Sequence, residues 1–201
     1  MSLPNSLTIF RIILTPVFLL LLFSNSPFDK QLSLIVFFIA AITDWYDGWL
    51  ARKYGVVTRT GKFLDPLADK ILTLATLFGF VYLKLIDAWM VWVIVIRDII
   101  ITSLRTYAEY KDQPIVTSKT AQAKTFGEFI IIYYILILYV GGTIPIIRMK
   151  WGTLIDSLTD HDVLFGMLLV VVISAVGTGI MYLFDNRKFI RELYAGTIIP
   201  K

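Results

Sequence analysis

Asp44 and Asp47 stand three residues apart, and Asp65 and Asp69 stand four apart. On a helix either interval brings both carboxylates to one face, a turn from each other. Four like charges gathered beside a low-dielectric region repel one another and lose solvation, so the group calls for positive charge. A hard divalent cation meets that need, because Mg²⁺ takes oxygen ligands and is held by a few carboxylates together with substrate phosphates. Two such ions, roughly 3.5 to 4 Å apart, form the clamp that phosphoryl-transfer enzymes close on attacking and leaving oxygens. A pyrophosphate substrate follows from that arrangement. Gly48 and Ala51 lie four and seven residues after Asp44, on nearly the same face, where small side chains let a flat group or another backbone approach. Arg52 stands one turn beyond Gly48, placed to reach a phosphate or a base. Taken singly, such an aspartate is as readily a helix cap or an ion-pair partner, Gly48 a packing residue and Arg52 a membrane-edge anchor. Four acids at helical spacing on neighbouring segments point to function instead.

The elements that must position them are apolar. Of the 201 residues, 57% are hydrophobic and only 17% charged, with a mean hydropathy of +0.76. A soluble domain cannot hide so much apolar side chain, so the solvent implied is lipid. Six apolar segments can be drawn: Leu3 to Phe23, Leu32 to Trp49, Leu64 to Leu83, Ala88 to Tyr107, Phe126 to Gly142 and Val163 to Phe184. Each is near the ~20 residues that cross the hydrocarbon as a helix, and uninterrupted runs of this length are helical rather than alternating. The fold expected is all-α, a polytopic membrane protein with six transmembrane helices. The third helix must start near Leu64 to be long enough, which carries Asp65 and Asp69 to the membrane edge where the second helix brings Asp44 and Asp47.

Loop charge orients the chain. Arg52, Lys53, Arg59 and Lys62 follow the second segment, and Arg187, Lys188, Arg191 and Lys201 lie in the C-terminal tail. These sides are expected to be cytoplasmic, with both termini inside and the acids facing the cytoplasm. The segment 143–162 is expected to be a long exterior loop, with His161 a plain loop residue. No linker or internal repeat divides the sequence, so residues 1–201 read as one domain. The first stretch does not read as a cleavable signal peptide, because Arg11 falls inside its apolar run. The chain has no cysteine, which excludes disulfides, thiol catalysis and Cys-ligated metal. The formal charge of +4 marks cytoplasmic loops rather than a nucleic-acid partner.

Asp44, Asp47, Gly48, Ala51, Arg52, Gly61, Asp65 and Asp69 together resemble the motif of the CDP-alcohol phosphotransferases, D-x2-D-G-x2-A-R-x8-G-x3-D-x3-D, with every fixed position and gap matched. Pro4, Asn5, Leu7, Thr8 and Arg11 are similar to the P-N-x-L-T-x2-R start of the family's bacterial phosphatidylglycerophosphate synthases. Arg97, Leu104 and Arg105 fit that branch's R-[ED]…L-R segment, and Ser118, Lys124 and Thr125 its S-x2-G-K-x-K-T stretch. There the sequence departs, with Ala121 for the usual Gly and Gln122 for the usual Lys.

The resemblance implies six transmembrane helices in a homodimer of the cell membrane, and two divalent ions, Mg²⁺ or Mn²⁺. It implies that Asp44, Asp47, Asp65 and Asp69 ligate metal, with Asp69 also the catalytic base. Asn5, Thr8, Gly48, Ala51, Arg52 and Gly61 would line the CDP-diacylglycerol side. The reaction implied moves a phosphatidyl group from CDP-diacylglycerol to sn-glycerol 3-phosphate and releases CMP. An acceptor that is a phosphate monoester needs cations of its own, for which Arg97, Arg105, Ser118 and Lys124 are the candidates. Arg97 can instead pair with adjacent Asp98, and Lys124 can snorkel to the interface. Rival acceptors are inositol phosphate, serine and phosphatidylglycerol. A divalent-cation transporter is the rival from another class, but it favours midplane acids and broken helices in repeated halves, and it leaves Gly48, Ala51 and Arg52 without a role. An inert membrane scaffold leaves the four acids unexplained.

Overall fold

The computed structural model describes the backbone of residues 3–54, 59–110 and 119–194, and the side chains of residues 10–43, 70–108, 125–187 and 189–191. Among these residues every regular element is an α-helix. They are α1 (Leu3–Phe23), α2 (Pro27–Tyr54), α3 (Arg59–Tyr82), α4 (Ala88–Tyr110), α5 (Lys119–Gly141), α6 (Pro145–Leu158), α7 (His161–Asp185) and α8 (Arg187–Tyr194). Each of the six apolar segments falls on one helix, and those ending at Leu83 and Gly142 run one residue past it. By length and composition α7 is long and apolar enough to cross a membrane; Phe10–Phe23, Lys70–Tyr82 and Thr125–Gly141 are shorter apolar helical stretches.

Local chemistry sets the boundaries. Ser26 caps α2 by accepting the Asp29 N–H at 3.4 Å, while the Ser24 hydroxyl donates to Asp29 Oδ2 at 2.6 Å. Pro27 then opens the helix at the position where a missing N–H costs nothing. At the other end of the next helix, α3 closes on a Schellman turn. Lys84 takes a left-handed φ of 58°, Leu85 N–H reaches Phe80 O at 2.9 Å and Lys84 N–H reaches Val81 O at 2.9 Å.

Segment 143–162 is not a plain loop, as its charges had suggested: it contains α6. Pro145 pre-sets the first turn. Ile147, Trp151, Leu154, Ile155 and Leu158 recur at helical spacing, with Ile155 buried. Arg148 grips Asp156 two turns on through both guanidinium nitrogens, at 2.6 and 3.0 Å. The stretch is too short and too charged to register as a membrane span, which is why a search for long apolar runs passes over it. His161 is the first residue of α7 rather than a loop residue.

The chain divides into two compact units. The first comprises Met1–Ile86 and Ile132–Leu164. In it α1 lies against α2 and α3. Phe18 and Phe37 meet at 5.2 Å between ring centroids, and Tyr133 packs on Phe37 and Phe38 at 5.4 and 5.5 Å. Gly79 lets α3 approach α1 closely: a Cβ there would stand 3.2 Å from Leu19 Cδ2. The second unit comprises Asp87–Ile131 and Phe165–Lys201. Here α4 and α7 run side by side in the same direction, since Trp89 meets Phe165, Arg97 meets Thr178 and, beyond the end of α7, Tyr107 meets Phe189. Met90, Val91, Ile94, Leu168 and Ala175 are buried in this unit. Outward faces are apolar as well. Leu20, Val170 and Ile173 are 73%, 68% and 64% exposed, which is unfavourable in water and neutral in lipid.

Candidate active site

The four candidate acids stand on two helix ends of the first unit. α2 does not stop with its apolar segment but continues to Tyr54, and α3 begins at Arg59, ahead of its own. Asp44, Asp47, Gly48, Ala51 and Arg52 therefore share one helix, and Gly61, Asp65 and Asp69 share the next. Helical rise separates the first acid pair by about 4.5 Å and the second by about 6 Å along the axis, with each pair on one face. Asn5 and Thr8 lie in the first turns of α1. The side chains of all these residues lie outside the described ones. Arg11, at the end of the same N-terminal pattern, is 2% exposed, and its carbonyl accepts the Thr15 hydroxyl at 2.9 Å just before Pro16.

The candidate cations Arg97 and Arg105 belong to the second unit. Arg97 is held from two sides: Nη1 donates to Asp98 Oδ1 at 2.8 Å and Nη2 to Thr178 Oγ1 at 3.2 Å. Thr178 is fixed in turn by donating to Ser174 O at 2.7 Å. Gly179 makes room for the arginine, because a Cβ there would lie 3.2 Å from Arg97 Cγ and 3.7 Å from Nε. Arg105 follows two turns along α4 and is exposed. Tyr182, one turn after Thr178, is 3% exposed and lies within electrostatic reach of both guanidinium groups. Lys124 is in the first turns of α5 with its side chain outside the described residues, and Ser118 lies outside them altogether.

The sequence reading thus supplied Arg97 and Arg105 but missed their neighbours Thr178, Gly179 and Tyr182. The available signal was two polar residues four apart in an otherwise apolar stretch, Thr178 and Tyr182. Arg97 also makes the contact with Asp98 that the spacing allowed.

A profile of the CDP-alcohol phosphatidyltransferases matches residues 1–151. The chain belongs to this family. It is therefore a transferase, in a family that is membrane-associated and generally dependent on a divalent metal. Among curated proteins, a CDP-diacylglycerol–glycerol-3-phosphate 3-phosphatidyltransferase of Bacillus subtilis is 37% identical over 150 residues, which is 68% of this chain and 77% of that protein. A protein of the same name from Rickettsia bellii is 38% identical over 125 residues, 62% of this chain and 69% of its own length. One from Salmonella typhimurium is 35% identical over 141 residues, 67% and 76% of the two chains.

The donor set fits a divalent metal. Four aspartates on two consecutive helices offer hard oxygen ligands in face-matched pairs, and the chain has no thiolate to favour a softer ion.

Proposed function

We propose that this transferase moves the phosphatidyl group of CDP-diacylglycerol to the primary hydroxyl of sn-glycerol 3-phosphate, giving phosphatidylglycerophosphate and CMP. The observation that carries the reading is the placement of all eight motif residues on two consecutive helix ends, in a chain whose relatives bear the name of that activity. Asp44, Asp47, Asp65 and Asp69 hold two divalent ions, Mg²⁺ or Mn²⁺. Ions bound there supply charge neutralisation at the pyrophosphate and at the departing phosphate. Asn5, Thr8, Gly48, Ala51, Arg52 and Gly61 line the CDP side. Asp69 accepts the proton of the acceptor hydroxyl, whose oxygen forms a bond to the phosphorus bearing the lipid as the bond from that phosphorus to CMP breaks. Arg97, Arg105, Ser118 and Lys124 bind the acceptor's own phosphate, a dianion that a neutral alcohol lacks.

The proposed setting rests on the apolar segments and loop charges and, for the homodimer, on the family resemblance. α1, α2, α3, α4, α5 and α7 form six membrane spans, with both termini and the four aspartates on the cytoplasmic side and the whole chain working as one domain in a homodimer. The acyl tails then stay in lipid while the head groups meet water-soluble acceptor. Purified protein in lipid with CDP-diacylglycerol tests the reaction by CMP release against a panel of alcohols. Release with sn-glycerol 3-phosphate is expected; release that requires serine or inositol phosphate instead overturns the acceptor.

A further inference from the structure

Thr178 and Tyr182 are neighbours on α7, yet their hydrogen bonding differs. The Thr178 hydroxyl donates to Ser174 O and receives Arg97. Among the described residues the buried Tyr182 hydroxyl has no hydrogen-bond partner, and Arg97 Nε, also buried, has none either. A phenol carries one O–H that must find an acceptor, and a guanidinium can only donate. Neither Arg97 nor Arg105 can therefore satisfy the Tyr182 O–H, however close they lie. Asp98, the carboxylate bonded to Arg97, is engaged through Nη1, away from the orphaned Nε. Among the described residues the cluster is thus rich in donors and positive charge, and none of them accepts the Tyr182 O–H.

A phosphate monoester is an acceptor with several oxygens and negative charge. We propose that Tyr182 is a ligand of the acceptor's phosphate, donating its O–H to a phosphate oxygen whose charge Arg97 and Arg105 offset. This rests on the acceptor reading above and adds to it a residue outside every motif quoted for the chain. The same phosphate persists in the lipid product, so Tyr182 serves substrate and product alike. Arg97, clamped by Asp98 and Thr178 and given space by Gly179, is a positioned charge; Arg105, exposed, is the adaptable one.

The test is Tyr182→Phe in the full chain in nanodiscs. CMP release is followed while sn-glycerol 3-phosphate and CDP-diacylglycerol are varied separately, and thermal melts are recorded with inorganic phosphate, with sn-glycerol 3-phosphate, and in discs containing phosphatidic acid. Loss of a hydrogen bond to a charged group should raise KM for sn-glycerol 3-phosphate about ten- to a hundredfold. KM for CDP-diacylglycerol should stay within about twofold, and stabilisation by either soluble phosphate should disappear. Without ligand the variant should melt no lower than the parent, since the hydroxyl removed has no partner among the described residues. Unchanged KM and unchanged ligand-induced shifts mean that the hydroxyl meets only water, which overturns the proposal, as does an equal rise in both KM values. Loss of the phosphatidic-acid shift alone assigns the group to a lipid headgroup and overturns it too. If the parent releases no CMP with sn-glycerol 3-phosphate, the proposed function fails. The inorganic-phosphate melts of parent and variant then still decide whether Tyr182 binds phosphate.

Discussion

The helix ends of α2 and α3 and the paired helices α4 and α7 solve opposite electrostatic problems. The first region concentrates four carboxylates within 26 residues of sequence and carries Arg52 beside them. The second gathers two guanidinium groups and gives one of them an internal counter-charge, Asp98. Carboxylates are only acceptors when ionised, so on the proposed reading a cation completes the first region; guanidinium and phenol groups present donors, so on the same reading an anion completes the second. On that reading each region is less stable without its ligand than with it. A ligand that adds the missing charge stabilises the protein in proportion to its occupancy.

The largest effect that would break this contrast is at the acids. Chelation of divalent ions, Asp44→Asn or Asp65→Asn should abolish CMP release, whereas full activity in chelator would remove the metal from the first region. In metal-free protein Asp44→Asn should melt higher than the parent, because like-charge repulsion falls. A second, smaller loss separates the acids from one another. Asp69→Asn should lower kcat by about 10²- to 10⁴-fold, the worth of a positioned general base, with CDP-diacylglycerol still bound through the remaining three acids. Nucleotide-lipid affinity and single-turnover rate, measured on Asp69→Asn and Asp44→Asn together, check this. Near-normal turnover in Asp69→Asn would move the proton to water.

The cationic region should respond differently. Arg105→Ala and Lys124→Ala should raise KM for sn-glycerol 3-phosphate about ten- to a hundredfold, as expected for a charge-assisted contact worth roughly 1.5 to 3 kcal/mol, and should raise KM for CDP-diacylglycerol far less. Equal losses for both substrates would make these residues structural and dissolve the distinction between the regions.

The two regions also differ in how far they could be read from the chain. The acids sit on adjacent helices, and their spacings of three and four have meaning as soon as helix is assumed. Thr178, the α7 partner of Arg97, lies 81 residues away, and with the nearby Gly179 and Tyr182 it has no linear relation to α4. Their meaning appears only once the two helices are seen to run side by side. The helices themselves were legible where apolar runs were long: α1 at both ends, and α4 and α7 to within three residues. α6 escaped because its stability comes from a proline start, one buried isoleucine and an ion pair two turns long rather than from a continuous apolar run. The extension of α2 from Trp49 to Tyr54 and of α3 back to Arg59 was hidden for a related reason, since polar helical ends lack the signal that marked their centres.

The smallest effect, and the sharpest for the second region, compares two glycines of one helix. Gly177 has nothing within 4 Å of where a Cβ would stand, whereas a Cβ at Gly179 would meet Arg97 at 3.2 Å. Replacing a helical glycine by alanine removes backbone entropy from the unfolded chain and is worth about 0.5 to 1 kcal/mol. Gly177→Ala should therefore stabilise the protein by about that amount. At position 179 the same gain is set against the arginine, which must shift by a few tenths of an ångström while Asp98 and Thr178 hold its two terminal nitrogens. Gly179→Ala should gain less stability than Gly177→Ala, and it should also raise KM for sn-glycerol 3-phosphate a few fold, which Gly177→Ala should not. Melting curves and acceptor titrations on the pair, in the same nanodiscs, separate the two contributions. Equal stabilisation with unchanged KM in both would show that Arg97 yields freely, and that its position owes nothing to the space beside α7.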